Sequence, residues 1–115
     1  MTFDVFAHGL IMLTTTGART GREHRVPLGP LHIDGRLFVI ASAMGAPNHP
    51  AWYHNLRRNP QVTVETGTEV FAARAALPPD RDRLFAAAVE QAPGFADYQA
   101  RTSRVLPVVE LHRLS

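Results

Sequence analysis

Ile33-Asp34-Gly35-Arg36-Leu37-Phe38-Val39-Ile40-Ala41-Ser42 decides how this chain folds. Asp-Gly between two apolar runs is a strong hairpin signal, because both turn residues tolerate the positive φ of a type I′ turn. It couples a strand ending at Ile33 to one running from Arg36 to Ser42. Leu37 to Ala41 are apolar without a break, so the second strand is expected to be buried on both faces. Upstream, Arg25 to Ile33 reads as one strand, bent or edge-placed because of Pro27 and Pro30. Further back, Leu10 to Leu13 run into Thr14-Thr15-Thr16, a β-branched first strand. Gly17 to Gly21 form the turn between them.

Downstream of the hairpin, Ala43 to Pro47 read as a loop. Asn48 is placed to cap a helix with Pro50 in its first turn. That helix runs to about Arg58 and stops at Asn59-Pro60, because a residue before proline avoids the α region. Gln61 to Glu65 alternate as a half-buried strand. Thr66-Gly67-Thr68 turn the chain, and Val70 to Ala76 return as a strand. Pro78-Pro79-Asp80 open a helix over Arg81 to Gln91, with Leu84, Phe85, Ala88 and Val89 on one face. Pro93-Gly94 break it, Phe95 to Ser103 form a short helix, and Leu106 to Leu114 a closing strand. This gives a mainly β domain over residues 1–115, with six mostly antiparallel strands and two to three helices. Such a sheet must close or be covered to manage its edges. A small barrel with helices over its openings is the expected solution.

Composition narrows the chemistry. Among the 115 residues there is no cysteine, which excludes disulfides, thiolate metal sites and a cysteine nucleophile. All twelve basic residues are Arg, so a lysine Schiff base is excluded too. The formal charge is only +2 and the Arg are scattered, so no nucleic-acid footprint is expected. Met1 to Leu13 lack a basic n-region and a long apolar run. Neither a signal peptide nor a membrane span is expected. A cytoplasmic location is expected, with attachment to a membrane surface left open.

Three constellations carry candidate chemistry. Thr14 to Arg22 combine hydroxyls, a Gly-flanked turn and two Arg, which reads as an anion cradle or as a solvated polar turn. Ala46-Pro47-Asn48-His49-Pro50-Ala51-Trp52-Tyr53-His54-Asn55-Leu56 hold the only Trp and two of the six His. His49 and His54 are five apart, off the i, i+4 spacing of a helical metal pair, and no acid lies nearby, so no metal site is expected. Trp52 with His49 or Asn55 reads as an aromatic pocket wall, or as packing of the helix on the barrel. In Gly94 to Thr102, Phe95 and Tyr98 share a face; Tyr98 reads as a substrate-facing hydroxyl or as an ordinary amphipathic Tyr. There is no G-x-S-x-G, P-loop or G-x-G-x-x-G motif.

Read together, these blocks resemble the deazaflavin-dependent nitroreductase family of small actinobacterial proteins. The resemblance lies in Leu13 to Gly17 with Arg19 and Gly21, Pro27-Leu28, Ile40-Ala41-Ser42, Gly45-Ala46-Pro47, His49 to Leu56, Ala96 to Gln99 and Pro107 to Val109. It implies a split β-barrel and hydride transfer from reduced coenzyme F420, an 8-hydroxy-5-deazaflavin, to quinones or nitroaromatics. It implies that Thr16, Arg19, Thr20, His24, Arg25 and Pro27 lie along the anionic tail. Ala41, Ser42, Ala43, Met44, Gly45, Trp52 and Asn55 would lie about the ring. Tyr98 and Ser42 would be the catalytic side chains, Tyr98 toward the substrate. Where the family carries a Lys and then a Gly, this chain has Ala43 and Met44. A non-catalytic module of the same fold for an apolar ligand, and an FMN-binding split barrel, are the alternatives. The expected partner is a small-molecule acceptor, with the chain as monomer or homodimer.

Overall fold

The computed structural model describes residues 4–114. It contains seven strands where the sequence suggested six. They are β1 (Ile11–Thr16), β2 (Glu23–Leu28), β3 (Leu31–Ile33), β4 (Arg36–Ile40), β5 (Gln61–Glu65), β6 (Val70–Ala76) and β7 (Val108–Arg113). The extra strand arises because Arg25 to Ile33 is not one bent strand. Gly29-Pro30 interrupts it, since Pro30 has no N–H for the ladder, and two strands result. The helices are α1 (Ala51–Arg58), α2 (Arg81–Gln91) and α3 (Gly94–Ala100), with single 3-10 turns at Phe6–His8 and Ala43–Gly45.

The strands form one sheet in the order β2-β1-β5-β6-β7-β4-β3, every pairing antiparallel. Its two edges, β2 and β3, are neighbours in sequence, so the sheet curls toward closure without a ladder joining its ends: a split barrel. Asp34 and Gly35 have φ of 55° and 71°, the two positive values that a tight β3–β4 turn needs.

Alternation along β4 divides the apolar residues between two cores. Val39 and Ala41 point inward with Leu13, Val64, Ala73 and Val109. Phe38 and Ile40 point outward with Leu31, Ile33 and Val108, under Leu84 and Ala88 of α2. Helix α1 sends Trp52, Tyr53 and Leu56 into the inner core, so it plugs one end of the barrel. α2 and α3 cover the outer face of β3, β4 and β7 rather than an opening. Asn48 does not cap α1; the N-cap residue is Pro50, and no side chain fills that role. No helix among the described residues is long and apolar enough to cross a membrane.

Candidate functional site

Helix α1 grips the β1–β2 turn through one side chain. The buried Asn55 donates through Nδ2 to Thr15 Oγ1 at 3.2 Å and accepts the Ala18 N–H on Oδ1 at 3.0 Å. One turn of helix later, Asn59 Nδ2 reaches the Thr16 carbonyl at 3.4 Å. Inside the turn, the Gly17 N–H donates to the Arg22 carbonyl at 2.7 Å and the Gly21 N–H to the Gly17 carbonyl at 3.0 Å. The Arg22 N–H donates to Thr20 Oγ1 at 3.2 Å. Most of the backbone donors of this turn are thereby spent. What remains for a ligand is the Arg19 and Thr20 N–H groups and the side chains. A Cβ on Gly17 would stand 3.0 Å from both His24 Nε2 and Thr20 Oγ1, so a larger residue there would crowd the side chains that line the cleft.

Between turn and helix lies a cleft of about 500 Å³, lined by residues 17–20, His24, Ala51, His54 and Asn55. That volume falls within the range of small-molecule sites, about 300–1,000 Å³. No carboxylate lines it, and Arg19 makes no ion pair among the described residues. The donor set therefore fits an anionic group, and Ala18 and Ala51 supply apolar contact beside it.

A second group of residues converges at the start of α1. Ala43, Met44 and Gly45 all have positive φ, at 45°, 56° and 82°. Gly45 is required there, because a Cβ would fall 2.6 Å from the Tyr98 carbonyl of α3. Tyr98 is half-buried against the outer core, 6.2 Å from the Phe95 ring and 5.5 Å from the Arg101 guanidinium. Arg104, beyond α3, donates to the carbonyls of Ala41, Ser42 and Ala46 and contacts His49 Nδ1. The His49 ring lies 5.8 Å from that of His54, which lines the cleft. Burial first, then the charges of Arg104 and His54, hold the His49 imidazole below its ordinary pKa.

Of the residues singled out from sequence, the structure brings Arg19, Thr20, His24 and Asn55 together at the cleft. Ala41, Ser42, Ala43, Met44 and Gly45 form the nearby turn. Trp52 does not line the cleft: its indole is buried in the inner core behind Ala51. Thr16, Arg25 and Pro27 lie apart from it. On β2, Val26 and Leu28 pack against the inner core, so Arg25 and Pro27 face out. Arg25 is paired there with Glu65 at 3.1 Å, and Thr16 borders a polar surface hollow with Glu23 and Arg74. His54 and Arg104 were missed. His54 shows itself only through its place on the Ala51–Asn55 face of α1, and Arg104 only through carbonyls far away in sequence.

Fold and site together define a split-barrel protein with an anion-accepting cleft beside its plugging helix. The family model described as F420H(2)-dependent quinone reductase matches residues 3–112, and the chain belongs to that family. The F420H(2)-dependent quinone reductase Rv1261c of Mycobacterium tuberculosis is 38% identical over 108 residues, covering 90% of this chain and 72% of the relative. A solved F420-H2 dependent reductase, FDR-A, superposes with a TM-score of 0.75 at 36% identity, covering 90% of this chain and 94% of that one. A solved domain-swapped dimer gives 0.76 at 36% identity, covering 90% and 80%. Of the three readings that the sequence left open, the family corresponds to the first.

Proposed function

We propose that this chain reduces small apolar acceptors of the quinone type, and nitroaromatics as a second class, with coenzyme F420H2 in the cytoplasm. The observation that carries the reading is the carboxylate-free cleft with its unpaired Arg19, in a chain of this family. When bound, the reduced deazaflavin supplies the hydride. Everything else falls to the chain. Arg19, Thr20 and His24 hold the anionic tail. Asn55 fixes the turn that carries them, by bonding its Ala18 N–H at 3.0 Å. Ser42 and the Ala43–Gly45 turn take the ring edge, and Ala51 on the face of α1 excludes water beside it. Tyr98 stands on the substrate side as a hydroxyl donor.

Titrating the protein with F420 while following Trp52 fluorescence tests this. Saturable binding is expected, and Arg19→Gln should weaken it by about tenfold, the equivalent of one good charged contact of ~1.5 kcal/mol. Absence of saturable binding by the wild type would refute the reading.

A further inference from the structure

Arg104 binds four groups with one guanidinium. Nε donates to the Ala46 carbonyl at 2.8 Å and Nη2 to the Ser42 carbonyl at 2.7 Å. Nη1 donates to the Ala41 carbonyl at 3.0 Å and stands 2.9 Å from His49 Nδ1. The three carbonyls bracket Ala43 and Met44, two non-glycine residues at φ of 45° and 56°. Each costs roughly 1–2 kcal/mol in that left-handed region. Such backbone persists only where surrounding contacts over-determine it. Gly45 locked against α3 is one such contact; Arg104 supplies the others.

The same geometry assigns a proton. A guanidinium donates and never accepts, so Nδ1 of His49 is the acceptor and its proton sits on Nε2. The groups facing His49 keep it neutral. From α1 come Tyr53, at 4.7 Å between ring centroids, and His54. Arg81 of α2 lines the small pocket that His49 shares with Val105 and Val108, and no carboxylate lines that pocket.

We infer that Arg104 is a positioning residue: it sets the shape of the Ala41–Ala46 turn and holds His49 as the neutral Nε2–H tautomer. The consequence for binding rests on the proposed reading that this turn takes the deazaflavin ring. A lysine could restore the charge but not the planar fork that reaches several carbonyls at once. Charge and geometry are therefore separable.

The test uses ¹⁵N NMR of the His49 imidazole together with the Trp52 titration by F420. Wild type should show a bare Nδ1 and a protonated Nε2 at neutral pH. Arg104→Gln should move the His49 titration to higher pH and weaken F420 binding about tenfold, a change of ~1.4 kcal/mol. Arg104→Lys should return the titration toward wild type and leave the affinity low. A proton on Nδ1 in the wild type, or wild-type affinity in both variants, overturns the inference. Should neither variant fold, the wild-type tautomer decides it. Failure of the wild type to bind F420 overturns the cofactor reading instead, and the NMR arm still decides the role of Arg104.

Discussion

At Met44 the backbone sits at φ 56°, ψ 28° and the residue is 68% exposed, so it gives little packing in return for its strain. Met44→Gly should therefore stabilise the fold by about 1 kcal/mol, whereas Met44→Val, stiff at χ1, should destabilise it by at least as much. Thermal unfolding of the two variants should shift in opposite directions. His49 sets a second expectation. Its folded pKa lies below the ordinary value, so between that value and about 6.5 the unfolded chain binds the extra proton. Its contribution is complete above pH ~6.5 and is lost as pH falls through the folded pKa. Comparing denaturant midpoints of wild type and His49→Asn across mildly acidic pH should show the steeper fall in the wild type. The hairpin turn was legible, because the positive φ of Asp34 and Gly35 is what a tight β3–β4 turn demands of the backbone. Arg104 was not: it is one of twelve Arg, and its partners lie 55–63 residues away in sequence.

Elements with a clean period needed nothing beyond sequence. β5, β6 and α2 fall where alternation and helical spacing put them, at Gln61–Glu65, Val70–Ala76 and Arg81–Gln91. What sequence could not give was facing. Thr16 and Arg25 look like part of the cleft by proximity along the chain, yet pairing register turns them to the outer face. The contact between β4 and β7 shows how one polar pair serves that face. Glu110 is 6% exposed and takes two bonds from Arg36, at 2.8 and 3.0 Å. Hydrogen bonding from Arg36 holds the Glu110 carboxyl below the usual range. Arg36 also reaches Asp80 at 3.5 Å, and Asp80 pairs with Arg83 at 2.6 Å, so the network ties α2 to the sheet. Glu110→Ala should cost about 2 kcal/mol in denaturant unfolding. That is less than the 3–5 kcal/mol of a fully buried pair, because Arg36 keeps Asp80 and some solvent.

Across the whole molecule, the fold class, the order of its parts and the tendency of the sheet to close were readable from sequence, while the number of strands was not. The break at Gly29-Pro30 between the edge strands is local, set by the missing N–H of Pro30, whereas the left-handed turn at Ala43–Gly45 depends on distant segments, Tyr98 and Arg104. The strand order also has a consequence for how the protein is made. β7 is last in sequence but lies between β6 and β4, with Arg36 and Glu110 bonded across 74 residues. Until β7 leaves the ribosome, β2-β1-β5-β6 and β4-β3 are separate ribbons, and β6 and β4 each present an unpaired edge. Synthesis of β7 joins them, so the newborn chain is most aggregation-prone just before this strand emerges.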